Sequence, residues 1–216
     1  MKSTLFFSKH KRVWAFLVVV GLCGVGGGIY HYWSLRSSLE WGTLDKAPDE
    51  VTGEKVILRL LHERYFIDYH NAWSRDVRQG LEFPEDIDLD YTIRFLRYEL
   101  ENFKKGKQIT YCVFDAQSNV LVGAVDIREK TPTSMGQFGW WLNEKYRGRG
   151  LIQEAAKLIA NVYFRLYDVD SFEVHVRLWN KRSYYALIKA GFVDTGTFFY
   201  EDGKPARHIL NYYRPK

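Results

Sequence analysis

Two glycines alternating with two arginines, in the segment EKYRGRGLIQEA at residues 144–155, are the residues of this chain best placed to do chemistry. Leu151, Ala155, Leu158, Ile159, Val162 and Leu166 follow at helical spacing, which predicts a helix beginning at or just after Gly150. First-turn N–H groups of a helix lack intrahelical partners and carry partial positive charge, and glycine lets an anion approach the backbone closely. Arg147 and Arg149 add formal charge. The pattern describes an anion site suited to a phosphate or diphosphate. It is not a P-loop, because Gly150 is followed by Leu151 and Ile152 with no Lys-Ser/Thr pair. His62, His70 and His208 have no metal-ligand spacing, and no paired-cysteine motif occurs, so no metal is expected.

A second motif, NKRSYYALIKAGF at residues 180–192, follows a short alternating run and predicts a helix with Asn180 before it and Gly191 at its C-cap. Together the two segments resemble the GNAT superfamily of acyl-CoA-dependent N-acetyltransferases, whose pyrophosphate loop has the form Gln/Arg-x-x-Gly-x-Gly/Ala. That window is here Lys145, Tyr146, Arg147, Gly148, Arg149, Gly150, with lysine in the first place. Within the superfamily the chain is most similar to the ribosomal-protein N-terminal acetyltransferases, through Gly139, Trp140, Trp141, Leu142, Tyr146, Gly148, Gly150, Glu154, Ala155, Asn180, Ser183, Gly191 and Phe192. The resemblance is dense over residues 136–197, thinner over 52–135, and absent from the first 44.

The resemblance implies an acetyl-CoA co-substrate and an amine acceptor. Main-chain groups of Trp141, Leu142 and Asn143 would align the donor and polarise its carbonyl. Backbone N–H groups from Arg147 through Gly148, Arg149 and Gly150 to Leu151 would bind the pyrophosphate, and the Asn180 amide would contact the pantetheine arm. Ser183 corresponds to the serine near the leaving sulfur. The superfamily's phenolic acid is absent, since Leu187 stands in its place and Tyr184 and Tyr185 are nearby substitutes. A glutamate two residues ahead of the Gly-aromatic-Trp serves many relatives as base; Gln137 stands there, and an amide cannot take a proton at neutral pH. Glu173 and His175, on one face of the strand at 171–177, are the remaining titratable candidates, and a solvated strand face explains them equally well.

These residues need a scaffold. The 216 residues are 46% hydrophobic, enough for one well-packed core. The net charge of +5 is uneven: Lys2, Lys9, Lys11, Arg12 and Arg36 against Glu40 give residues 1–44 a balance of +4, leaving +1 for the body. A near-neutral body does not call for nucleic acid. Cys23 and Cys112 imply no disulfide framework.

Residues 13–33 carry no formal charge and, at about 1.5 Å per residue, would span roughly 30 Å as a helix. Aromatic residues mark both ends, and no Ala-x-Ala-like cleavage site follows. The expectation is a basic segment at 1–12, one transmembrane helix at 13–33, a linker at 34–51 and an acetyltransferase-like domain at 52–216, with a cleaved signal peptide as the alternative. The protein would then be a single-pass membrane protein. Basic residues before the span place the body outside the cytoplasm, whereas acetyl-CoA is mainly cytosolic, so the side stays open.

Within the body, strands are expected at 55–61, 109–114, 120–127, 136–142 and 171–177, with a closing antiparallel pair around EDGKP. Helices are expected around Phe66, Tyr69 and Trp73, from 89 to 105 with Ile93, Leu96, Leu100 and Phe103 inward, and after each motif; residues 73–86 read as a loop. The class is α+β, a mixed, mainly antiparallel sheet with helices on both faces. Two other functions stay open: an acyl-CoA-binding membrane protein without catalysis, and a membrane-presented interaction scaffold.

Overall fold

A computed structural model describes residues 46–128, 136–201 and 204–215. The expected span at 13–33 and the basic segment at 1–12 lie outside the described residues, among which no helix is long and apolar enough to cross a membrane. The described elements run β1 (Glu50–Thr52), β2 (Val56–Leu60), α1 (Phe66–Ala72), α2 (Arg75–Leu81), α3 (Leu89–Lys104), β3 (Gln108–Asp115), β4 (Leu121–Arg128), β5 (Gln137–Leu142), α4 (Leu151–Leu166), β6 (Ser171–Arg177), α5 (Lys181–Ala190), β7 (Val193–Glu201) and β8 (Lys204–Tyr213).

The strands form one sheet in the order β1-β2-β3-β4-β5-β6-β8-β7. Every neighbouring pair is antiparallel except β5 and β6. The helices divide between its faces. On one face α4 buries Leu151, Ile152, Ala155, Ala156, Ile159, Ala160, Val162, Tyr163 and Phe164 against Val56, Val125, Phe138 and Phe172; this includes Leu151, Ala155, Ile159 and Val162 of the expected stripe, with Leu158 and Leu166 partly buried at its edge. At about 1.5–3 kcal/mol for each large apolar side chain, this seam dominates the core. On the other face α1 and α3 pack Phe66, Tyr69 and Leu96 with Trp73 over Cys112, Phe114, Ala124 and Trp141.

Three details depart from the sequence pattern. The segment expected as loop, 73–86, contains α2, whose Ser74 side chain accepts from the Val77 N–H at 3.3 Å; only Val77 is buried, so the helix carries almost no apolar periodicity. Strand β1 lies in the segment expected as linker, and its three residues are fixed by pairing with β2 rather than by alternation of their own. The buried stripe of α3 is Thr92, Leu96 and Glu99, rotated from the expected one, so a carboxylic acid faces the sheet.

Glu154 ties the scaffold to the glycine loop. Its carboxylate, in the first turn of α4, accepts from the N–H groups of Glu54, Lys55 and Val56 at 2.8, 2.7 and 3.1 Å. Hydrogen bonds to a charged acceptor are among the stronger ones, so Glu154→Ala is expected to cost about 2–4 kcal/mol. Urea unfolding measures this; a loss below about 0.5 kcal/mol would mean that water serves the three donors equally well.

Candidate active site

The parallel pair β5 and β6 holds together at one place. Gln137 is in register with Glu173, and the Glu173 N–H donates to the Gly136 carbonyl at 3.0 Å. Beyond that point the strands diverge and no further pair forms, because β5 stays with β4 as far as Leu142 while β6 stays with β8. The result is a V-shaped opening in the sheet.

Strand alternation decides which main-chain groups face it. The Gly136 carbonyl points to β6 and the Asn143 N–H donates to the Val122 carbonyl beside β4, at 2.8 Å. Phe138, Trp140 and Leu142 therefore turn their main-chain groups toward the gap, and Gly139, Trp141 and Asn143 turn theirs toward β4. Of the three residues expected to align the donor, Leu142 alone is placed to do so through its backbone. The Asn143 carbonyl also accepts from the Tyr146 N–H at 3.0 Å, and its side-chain amide donates to the Ala72 carbonyl at 3.0 Å. Trp141 instead supplies a buried wall, its Nε1 donating to the Tyr69 hydroxyl at 2.9 Å.

The glycine loop opens beside the wide end of the gap. Gly148 and Gly150 both have φ of +79°, and Gly150 precedes α4 as an N-cap with no side-chain acceptor of its own. A Cβ on Gly148 would meet no heavy atom within 4 Å. The loop therefore presents first-turn N–H groups across open space, a fit for an anionic diphosphate. Its arginines are not equivalent. Arg147 lines the cleft and pairs with Asp76 of α2, which Arg182 also approaches at 3.6 Å. Arg149 reaches instead to the buried Asp115, at 2.8 Å, and lies over the Tyr146 ring.

Two adjoining clefts line the opening. The one nearer the loop, about 430 Å³, is walled by Val77 and Leu81 of α2, by Trp141 and Leu142, and by Arg147 and Trp179. The other, about 290 Å³, lies between β5 and β6 and is walled by Arg128, Gln137, Gly139, His175 and Arg177. Both include Trp140, Asn180 and Ser183, so Ser183 sits where they meet. The Asn180 side chain accepts from the Ser183 N–H at 3.1 Å, capping α5 as expected and fixing that serine.

Glu173 and Tyr184 border neither cleft. Glu173 Oε1 lies 3.1 Å from His175 Nε2, so it would act on the opening only through that imidazole. The Tyr184 hydroxyl donates to Asp194 at 2.8 Å, which raises its pKa, and its ring packs on His208.

Sequence periodicity also missed a buried acid pair. Asp126 of β4 stands opposite Gly139, and its carboxylate makes an ion pair with Arg128 Nε at 2.9 Å. Glu99, 8% exposed, looks onto the same place from α3. Burial, followed by the nearby Asp126 charge, pushes Glu99 up to about 8; burial raises Asp126 too, with Arg128 opposing. The available signal was a lone carboxylate inside the otherwise apolar run VLVGAVDI.

The Acetyltransferase (GNAT) domain family matches residues 55–193. This chain belongs to the GNAT acetyltransferase family. It is an acyl-CoA-dependent N-acetyltransferase with acetyl-CoA as its co-substrate. It is similar to the ribosomal-protein-serine acetyltransferase of Escherichia coli (strain K12), 20% identical over 122 residues that cover 56% of this chain and 67% of that protein. The fold is shared with the Salmonella typhimurium acetyltransferase that modifies the N-terminal serine of ribosomal protein L7/L12, with a TM-score of 0.65 and 16% identity over 78% of this chain and 99% of that one. The ribosomal L7/L12 acetyltransferase RimL, solved with coenzyme A, gives a TM-score of 0.65 at 18% identity over 77% and 97%. Among the described residues, no group of side chains is arranged to hold a metal ion.

Proposed function

We propose that this GNAT acetyltransferase moves the acetyl group of acetyl-CoA to the N-terminal amine of a protein, by direct attack within a ternary complex and without a covalent enzyme intermediate. The observation that carries the reading is the meeting of the two clefts at Ser183, one reaching Arg147 at the start of the glycine loop and the other along the face of β5 and β6. The donor enters from the loop side, with first-turn N–H groups of α4 and Arg147 at its diphosphate. Its thioester lies in the gap, against main-chain groups of Trp140 and Leu142. The acceptor amine enters from the other cleft. Ser183 passes a proton to the departing sulfur, and Glu173 holds the His175 imidazole at the wall of the acceptor cleft. The ribosomal-protein acetyltransferases named above support a peptide acceptor.

Thiol release from acetyl-CoA, measured with peptides beginning in serine or alanine and with small amines, tests the assignment. Peptide turnover is the expected result; donor binding without turnover on any acceptor would leave a binding protein in its place. Loss of one positioned acid is worth about 10²- to 10⁴-fold, so Ser183→Ala is expected to lower kcat by about 100-fold or more while leaving coenzyme A affinity within about twofold. An unchanged kcat would remove Ser183 from the chemistry.

Residues 13–33 are proposed as a single membrane anchor, on the length of their uncharged run. Carbonate extraction of membranes, with protease treatment of intact cells, tests both the anchor and the side on which the catalytic domain lies.

A further inference from the structure

We infer that Asp126 receives the acceptor's ammonium group and takes its proton. The inference rests on the acetyl-transfer reading and adds to it the identity of the base. An amine acceptor reaches neutral pH mostly as an ammonium ion, which cannot attack a carbonyl, and the family's usual base position holds Gln137. The sheet supplies another carboxylate one strand away. Asp126 faces Gly139 across the β4–β5 ladder, and a Cβ built on Gly139 would meet Asp126 Oδ2 at 2.4 Å and Arg128 at 2.3 Å. Because that side chain is missing, the carboxylate lies directly over a residue that lines the second cleft. Gly139 also stands beside the gap, two residues past the last pairing point of β5 and β6.

The surroundings favour Asp126 over the alternatives on this face. The His175 side chain is 2% exposed, its Nε2 is directed at Glu173, and its ring packs against Phe199; Asp126 and Glu173 each retain 14%, but Glu173 is engaged by that imidazole whereas Asp126 abuts Gly139. The groups facing Asp126 are Arg128 on its own strand, Glu99 from α3 and Tyr69 from α1, with Thr110 opposite on β3 and Cys112 beside it. Burial raises the pKa of the Asp126 carboxyl, the Arg128 cation paired with it at 2.9 Å opposes that rise, and Glu99 Oε2 is buried with no hydrogen-bond partner among the described residues. Glu99 is therefore a neutral acid that backs Asp126 without competing for the ammonium.

The step balances. An N–H bond of the ammonium breaks as an O–H bond forms on Asp126, and the freed nitrogen pair attacks the thioester carbonyl carbon. The carbon–sulfur bond then breaks, the second amine proton passes by way of Ser183 to the thiolate, and Asp126 releases its proton to solvent.

Asp126→Asn, assayed by thiol release with a serine-initiated peptide and with its aminooxy analogue, decides the matter. The peptide amine needs deprotonation at pH 7; the aminooxy nitrogen does not. The expected loss in kcat/KM is about 100-fold or more for the amine and less than about 10-fold for the aminooxy compound, with coenzyme A affinity and Tm retained. Arg128→Gln provides a second reading should the asparagine variant not fold: loss of the cation makes Asp126 more basic, so the acid limb of the kcat/KM profile moves to higher pH. Retention of activity within threefold in Asp126→Asn, equal losses on both acceptors, or an unmoved limb in Arg128→Gln would each overturn the inference. So would a comparable acceptor-dependent loss found instead in His175→Gln or Glu173→Gln. Failure of the wild-type protein to turn over any acceptor would strike the acetyl-transfer reading itself, a distinguishable result.

Discussion

Coenzyme A affinity is expected to fall about 100-fold or more, roughly 3 kcal/mol, when Gly148 and Gly150 are both replaced by valine. Each glycine has φ of +79°, where a β-branched residue is a true outlier costing about 1–2 kcal/mol. The backbone would relieve that strain by turning its peptide units, carrying the N–H groups away from the position in which they converge on an anion. A valine at Gly148 would also project into the open space before the helix, where no protein atom stands within 4 Å. Isothermal titration with coenzyme A measures the loss. Gly196→Val is the control for strain alone, since Gly196 has φ of +70° on β7 with nothing near it, outside the loop and both clefts. If the double variant binds within threefold of the wild type, or if Gly196→Val loses as much, the loop is not the diphosphate site.

The second large effect concerns stability. Glu99 loses its proton near 4.5 in the unfolded chain and near 8 in the folded one, where burial and the Asp126 charge oppose ionisation. A folded-state pKa raised above the unfolded value gives stability that is fully present below about pH 4.5 and lost as pH climbs toward 8. Glu99→Gln removes the titrating proton while preserving the shape and neutrality of the buried acid. The variant is expected to gain on the wild type between pH 5 and 8, by an amount on the order of 4 kcal/mol. Urea unfolding of both proteins across that range checks it. Parallel curves would mean that Glu99 is ionised when folded, and the buried neutral acid behind Asp126 would have to be abandoned.

The two motifs were legible because their information is local. Gly148, Gly150, Asn180 and Gly191 act through backbone geometry within a few residues of themselves, so spacing alone places them at helix ends. The apolar stripe of α4 and the alternation of β6 are likewise properties of contiguous sequence. Helix α2 escaped because seven residues with one buried side chain generate no period, although Ser74 was a visible cap. The rotation of α3 escaped because Thr92 and Glu99 are polar, and polarity is scored as outward.

For the candidate site, sequence placed the glycine loop before its helix and tertiary structure redistributed the side chains around it. Trp141, Leu142 and Asn143 are consecutive, but only pairing with β4 shows that alternate main-chain groups face the gap. Arg147 and Arg149 flank the same glycine, yet one meets the cleft and the other a buried aspartate, because Asp76 of α2 pairs with the first and Asp115 at the end of β3 with the second. Glu173 and His175 share one strand face by alternation, yet His175 lines the second cleft and Glu173 does not. Asp126 gained its position from a glycine on the neighbouring strand, 13 residues away in sequence. By itself the chain determined the ends of its two motif helices, most of its strands and the glycine turn before α4, all set by interactions within a few residues. The folded sheet alone decided which carboxylate stands beside the opening, since that depends on strand register, and register is fixed by packing between distant segments.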